Sequence, residues 1–389
     1  NGPDLRYEHA PSTPLVPAST IKLLTATAAL ETLGADARFR TAVVSAAPAV
    51  DGVLSGDLTL VGGGDPLLAT ADYMARFRRQ PQVFTDLDAL AAAVQASGVR
   101  RIDGSVVGDE RRYDASRYVA SWPARYVDQD VIGPLSALAV NDGFERYPAA
   151  FGDGTPLDAA VDPPSVAAGV FTRLLEARGV DVVGPPRGGE AAAGATELAA
   201  IESEPLLEVV AQMLRESDNS TAELLLKELG RTAGSATTAA GATAVTDVAA
   251  TALDEPQGLV VADGSGLSTD NRVTCDHLVE LLGRPATGGA LVDHLAVAGE
   301  SGTLTERYRG SPLEGILRAK TGSLTSVSAL AGVVADADPA LTFALVVNVP
   351  SPARVPPGVA TVEQQIVGAL AAWPRTPDLA DLGPLPGGA

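Results

Sequence analysis

Apolar and polar positions recur along this chain with two periods, and the switches between them mark its elements. Over residues 21–33, Leu23, Leu24, Thr27, Leu30 and Leu33 return at helical spacing behind Pro17, with Gly34 placed to close the helix. Residues 39–61 read as short strands turning at Asp51-Gly52, ended by the run Gly62-Gly63-Gly64-Asp65-Pro66. A helix over 87–97, a strand over 101–108 and a helix over 165–177 follow, with loops rich in Tyr, Trp and Asp through about residue 130. Two amphipathic helices, 204–215 and 221–229, flank the polar turn Ser217-Asp218-Asn219. A strand over 315–319 leads into Lys320-Thr321-Gly322, and 327–334 and 341–349 are apolar, strand-like runs before a final helix over 361–373.

This order predicts an α+β chain whose C-terminal half is an antiparallel sheet covered by helices. The shift to Gly, Pro and Ala over 183–200 marks a crossing between domains. The expected division is a discontinuous domain of residues 1–45 and 203–378, an inserted α/β unit over 46–202, and a tail over 379–389.

The formal charge of -20, from 28 Lys+Arg against 48 Asp+Glu, argues against nucleic acid or an anionic membrane as a partner. An anionic substrate would need a local cluster of cations. No apolar run approaches the ~20 residues of a membrane-spanning helix. The start at Asn1-Gly2-Pro3 carries no signal-like segment, as in a mature or a cytoplasmic form. Cys275 is the single cysteine, so an internal disulfide and a cysteine zinc site are excluded. His9, His277 and His294 show no metal-ligand spacing and read as structural or surface groups; no metal and no cofactor is expected. With so few histidines, a serine nucleophile would draw on another base. The glycine run at 62–64 lacks the Gly-Lys-Ser/Thr of a phosphate loop.

Candidate chemistry lies in three short motifs. In Ser19-Thr20-Ile21-Lys22 the i, i+3 spacing places hydroxyl and amine on one helix face, about 5–6 Å apart at Cβ, where they can share a proton. The helix start favours negative charge, so the Ser19 amide can help to hold an oxyanion. Lys22 acts as a base only if its pKa falls by several units through desolvation and a neighbouring cation. Lys320 is the expected cation, with Thr321 able to bond a substrate carboxylate and Gly322 allowing close backbone approach. Ser217 offers a proton-relaying hydroxyl and Asn219 an amide for a substrate carbonyl; structurally, the same turn would simply cap a helix.

The order Ser-x-x-Lys, Ser-Asp-Asn, Lys-Thr-Gly is that of penicillin-binding proteins and class A β-lactamases. Residues 17–33, 217–230, Asp263-Gly264-Ser265-Gly266-Leu267-Ser268 with Asn271-Arg272, Gly302-Thr303-Leu304 with Arg307, and 319–332 extend the likeness, as do 62–67 and 134–138. The chain thus resembles the type-4 low-molecular-mass penicillin-binding proteins, the class C D-alanyl-D-alanine carboxypeptidases and endopeptidases. The resemblance implies a penicillin-binding transpeptidase-like domain and Ser19 as the acylated residue. Lys22 would be the base, and Ser217, Asn219 and Lys320 would complete the catalytic set. It also implies a second oxyanion amide at Ser323, a substrate contact at Ser265, and Asp109 or Glu110 as the acid lining the pocket for a diamino acid. The long interval from Lys22 to Ser217 fits the inserted unit of that group.

The implied partners are peptidoglycan stem peptides and inhibitory β-lactams, and the implied location is extracytoplasmic. Two other readings are a β-lactamase, for which a water-holding Glu-x-x-x-Asn is missing, and a catalytically idle wall-binding protein, against which the complete set of motif residues speaks.

Overall fold

The computed structural model describes residues 7–129, 131–150, 154–284, 287–335 and 340–372. The tail over 379–389, Trp373 at the expected end of the last helix, and Asn1-Gly2-Pro3 lie outside the described residues.

Two sheets organise the chain. One has four antiparallel strands in the order Ala296–Val297, Leu317–Leu324, Val327–Val334, Leu341–Asn348. Its alternation decides where chemistry can sit. Leu317 and Ala319 point into a core shared with Leu330, Val334, Phe343 and Val367 of the last helix, Gly358–Ala371. Lys320 therefore emerges on the opposite face, where its cross-strand partner Ala331 packs with Leu23, Val210, Met213 and Leu278 of three helices. The first of these, Lys22–Leu33, is buried on nearly every side. Leu23 and Ala26 face the sheet, and Ile21, Leu24 and Ala28 meet Leu226, Leu229, Val245 and Ala249 of two further helices, Asn219–Thr232 and Thr238–Ala252. An apolar helix surrounded in this way is a central one, and its N-terminus opens against the edge of the sheet that carries Lys320. Gly34, at φ 86°, ends it as expected.

The second sheet has five strands in the order Arg187–Gly188, Val106–Asp109, Leu58–Val61, Arg40–Ser45, Thr196–Glu202, with both parallel and antiparallel pairs. Helices Leu87–Ala96 and Pro163–Ala177 cover it through Leu87, Leu90, Val94, Phe171 and Leu175, which pack on Val43, Leu58, Leu60 and Val106. The strand Arg40–Ser45 pairs on both sides within this sheet. By sheet membership it goes with the segment after it, whereas the sequence reading through residue 45 placed it with the catalytic part. Among the described residues no helix is long and apolar enough to cross a membrane.

Candidate active site

Ser19 lies in a single 3-10 turn, Ala18–Ile21, that runs directly into the helix Lys22–Leu33. The sequence pattern predicted the first α-helical turn; the tighter 3-10 turn eclipses positions i and i+3 and so stacks Ser19 over Lys22 more closely. The Thr20 hydroxyl ties the turn to the Pro17 carbonyl at 2.8 Å, and Ala18 takes a left-handed φ of 48°, a strained backbone of the kind that aims a side chain out of its surroundings. Two glycines allow this turn to sit where it does. A Cβ on Gly322 would lie 2.8 Å from the Pro17 carbonyl oxygen and 3.1 Å from the Ser19 nitrogen, and one on Gly266 would lie 2.0 Å from the Ala18 oxygen.

Lys22 is fully buried. Its Nζ lies 3.1 Å from Ser19 Oγ, and donates to Asn219 Oδ1 at 2.9 Å and to the Ser265 carbonyl at 2.6 Å. Burial pushes the amine down to about 8, against the opposing pull of Asp263, Asp218 and Glu223. Of the two causes expected, desolvation and a neighbouring cation, loss of solvent is the one that lowers Lys22. The mutual repulsion falls on Lys320, which burial first, and then the charge of Lys22, hold well below the ordinary lysine value, with Glu216 pulling the other way.

Ser217 sits at the end of helix Leu206–Glu216 in a left-handed conformation, φ 61° and ψ 36°. Asp218 then caps the next helix, accepting from the Thr221 amide at 3.2 Å and the Thr221 hydroxyl at 2.7 Å. The capping reading and the chemical one thus hold on adjacent residues: Asp218 fixes the turn, and Asn219, the first residue of that helix, reaches Lys22. Lys320, also fully buried, donates to Ser217 Oγ and to the Thr321 carbonyl, both at 2.8 Å. Thr321 Oγ1 contacts Thr303 Oγ1 at 3.0 Å. Ser19, Ser217, Asn219 and Ser323 all face one cleft of about 290 Å³.

Asp109, Glu110 and Ser265, each expected as a substrate contact, are not among the residues that line this cleft. Asp109 is buried at the end of a strand, and its carboxylate is consumed by Arg111 at 2.7 Å and by the Ala191 amide at 2.8 Å. Glu110 instead holds Arg117 and accepts from the Ser136 hydroxyl. Ser265 is likewise buried; it touches Lys22 through its carbonyl.

Two acids that sequence reasoning missed stand behind the site. Glu223 Oε1 accepts from the amides of Gly264 and Ser265, at 3.0 and 2.7 Å, so it grips the loop whose next carbonyl holds Lys22. Burial, and then the charge of Asp263, push Glu223 up to about 8. Asp263 is fully buried and takes four donors: the amides of Gly266 and Ser268, the Asn271 side chain and the Trp122 indole at 2.7 Å. Glu223 follows Asn219 by four residues on one helix, a spacing that shares a face, and that signal was available. His277 completes a capping box with Thr274, a structural role.

The geometry offers a hydroxyl beside a desolvated amine, and a second amine–hydroxyl pair across the same cleft. This is the layout for acyl transfer through a serine ester. Comparison with known proteins agrees with it. The family model for D-Ala-D-Ala carboxypeptidase 3 (S13) matches residues 4–149 and 149–371. A D-alanyl-D-alanine carboxypeptidase of Actinomadura sp. (strain R39) is 35% identical, over 86% of this chain and 73% of its own. Carboxypeptidase DacB of Mycolicibacterium smegmatis is 34% identical, over 88% and 73%. The fold matches penicillin binding protein 4 of Haemophilus influenzae with a TM-score of 0.76 at 22% identity, over 94% of this chain and 93% of that one. This chain therefore belongs to the D-Ala-D-Ala carboxypeptidase (S13) family, and it is a serine DD-peptidase of the type-4, low-molecular-mass penicillin-binding kind.

Proposed function

We propose that Ser19 is the nucleophile of this peptidase and Lys22 its base, acting on peptidoglycan stem peptides that end in D-alanyl-D-alanine. The observation that carries the assignment is the contact between Ser19 Oγ and a fully buried Lys22 whose amine titrates at about 8. A group titrating there is largely charged at pH 7 but keeps a usable neutral fraction, which an ordinary lysine does not.

In this reading neutral Lys22 takes the Ser19 proton as Oγ attacks the carbonyl of the penultimate D-alanine. The amides of Ser19 and Ser323 would hold the resulting oxyanion. Collapse breaks the peptide bond, and the departing D-alanine amine takes a proton by way of Ser217, which Lys320 orients from 2.8 Å. Water then cleaves the Ser19 ester and returns the enzyme. Thr321 and Lys320 face the terminal carboxylate, and Asn219 spans Lys22 and the substrate backbone.

A β-lactam acylates the same oxygen, and no described carboxylate lines the cleft to drive water onto that ester. Persistence of the β-lactam ester, rather than turnover, follows. Because peptidoglycan stems lie outside the cytoplasmic membrane, the reading places the protein in an extracytoplasmic compartment. Sheet membership supports a catalytic part drawn from residues before Arg40 and after Glu202, with the segment between them inserted.

The test is Ser19→Ala, assayed with a fluorescent penicillin and with a pentapeptide for D-alanine release. Both signals should vanish from protein that keeps the wild-type unfolding transition. Undiminished D-alanine release would remove Ser19 from the mechanism.

A further inference from the structure

The two buried acids behind Lys22 are held unequally. Asp263 has donors on both oxygens: the Gly266 amide and the Asn271 side chain on Oδ1, the Ser268 amide and the Trp122 indole on Oδ2. Glu223 is as completely buried, but both of its donors, the amides of Gly264 and Ser265, fall on Oε1. Its Oε2 is sealed from solvent and has no hydrogen-bond partner among the described residues. An ionised carboxylate with one bare oxygen in such a place carries a large desolvation cost, and a proton on that oxygen removes most of it. The charged groups that face Glu223 are Lys22, from the helix Lys22–Leu33, and Asp263, from the loop; Asp218 faces Lys22 in turn. Lys227, one turn farther along its own helix, is committed to Asp114. A carboxyl pushed up to about 8 keeps its proton at neutral pH.

The loop that Glu223 grips is wedged from both sides. A Cβ on Gly264 would lie 2.6 Å from the Ala222 carbonyl oxygen, in the helix that carries Glu223, and one on Gly266 would lie 2.0 Å from the Ala18 oxygen and 2.9 Å from the Ser19 nitrogen. Two successive peptide groups of this loop turn their carbonyls to the helix Lys22–Leu33 and their amides to the acids. The Gly264 carbonyl accepts from Thr25 Oγ1 at 2.9 Å, and the Ser265 carbonyl accepts from Lys22 Nζ at 2.6 Å. The amides that complete those two peptide groups, of Ser265 and Gly266, go to Glu223 at 2.7 Å and to Asp263 at 2.8 Å. A peptide group bonded at both ends is polarised along the chain of bonds, and one wedged between two backbones does not shift alone. A displacement at Glu223 is therefore passed to Lys22 Nζ and to the turn that carries Ser19.

We propose that Glu223 is a positioning residue for acyl transfer, a neutral carboxyl whose grip on the Gly264 and Ser265 amides aims the Ser265 carbonyl at Lys22 and fixes where that amine stands against Ser19. The inference rests on the reading of Ser19 as nucleophile and Lys22 as base. Neutrality matters as much as the grip. A negative charge at Glu223 would draw the proton back onto Lys22 and deplete the free amine, so the group that places the base must itself stay uncharged.

The experiment resolves penicillin acylation of the full chain into a limiting rate and a pre-covalent dissociation constant, from pH 6 to pH 9, for wild type, Glu223→Ala and Glu223→Gln. Glu223→Ala leaves two amides unheld and should lower the limiting rate about 100-fold, as a misplacement of about 1 Å does, with the dissociation constant unchanged within about twofold. Glu223→Gln keeps an acceptor oxygen for both amides and should bring the rate at pH 7 back to within about threefold of wild type. Because an amide never ionises, Lys22 in this variant should lose its proton earlier, moving the rate–pH midpoint down by about 0.5–1 unit. A limiting rate in folded Glu223→Ala equal to that of wild type, or a change confined to the unfolding midpoint and the dissociation constant, overturns the proposal. If Glu223→Ala does not fold, the Glu223→Gln curve decides, since a midpoint that coincides with wild type overturns the proposal by itself. Mass spectrometry of the labelled wild-type peptide reports separately whether Ser19 is the acylated residue, so failure of that reading is not mistaken for failure of this one.

Discussion

Two groups of buried charge lie on either end of the helix Asn219–Thr232, and they behave in opposite ways. Toward its C-terminus, Glu228 is nearly covered, with 4% of its side chain exposed. It accepts from Arg112 at 2.7 Å, Arg231 at 2.9 Å and the Tyr113 hydroxyl at 2.9 Å. Burial pulls this carboxyl up, but the bonds from Arg231 and Arg112 outweigh it and hold Glu228 below its ordinary value. At the N-terminus, Lys22 and Lys320 are buried more completely, yet they touch hydroxyls, carbonyls and an amide oxygen, with no carboxylate in hydrogen-bond contact. Their pKa values fall. Burial alone does not make a group reactive. Burial with neutral partners makes a base, and burial with matched counter-charges makes a strut.

The comparison can be broken most severely by Lys22→Ala. Removing a general base costs about 10²–10⁴ in rate, and the pseudo-first-order rate of penicillin acylation should drop by that amount in folded protein. An unchanged rate would show that the desolvated amine is not the base. Next in size is the pH dependence. Because the folded pKa of Lys22 is lowered to about 8, the neutral, active form gains about tenfold per pH unit below that value and saturates above it. Acylation followed from pH 6 to pH 9 should climb and then level near 8; a flat profile would separate the rate from this titration. The smallest effect tests the strut. Glu228→Gln leaves Arg112 and Arg231 facing a neutral amide, which should cost about 1–3 kcal/mol in urea unfolding, discounted because both arginines are partly solvated. The labelling rate of the native fraction should stay at the wild-type value. A fall in labelling without a loss of stability would mean that the two charge groups are coupled.

Much of this was legible because it is local. The pattern marked the strand Val327–Val334 at its observed bounds and placed Leu87–Ala96 and Leu341–Asn348 within a residue of theirs. Lys320 was expected to follow a strand; it lies inside one, since Leu317–Leu324 continues through Lys-Thr-Gly. What sequence hid is what distant chain supplies. The Ser265 carbonyl that holds Lys22 comes from 243 residues away, a contact that the motif around Ser265 does not announce. Asp109 stands close to a plausible pocket in sequence, but the amide of Ala191 and the fork of Arg111 claim it. The lowered lysine pKa was anticipated only in part for a similar reason: desolvation and a neighbouring cation were both expected, and desolvation is what lowers Lys22. Charge is visible in a sequence, whereas the extent to which a side chain is sealed from water is a property of the packed whole.

The pairing of Arg40 with Glu202 and Thr41 with Ile201 places the two crossings of the intervening segment side by side. A chain that leaves and returns through neighbouring rungs of one ladder can lengthen or shorten between them with little change in loop-closure entropy. That freedom ends where the segment touches the cleft: Trp122 bonds Asp263, and Val131 meets Asn219. Growth and loss of material during divergence should therefore concentrate at the far rim of the five-stranded sheet, while the stretch from Trp122 to Val131 stays constrained as though it were part of the catalytic half.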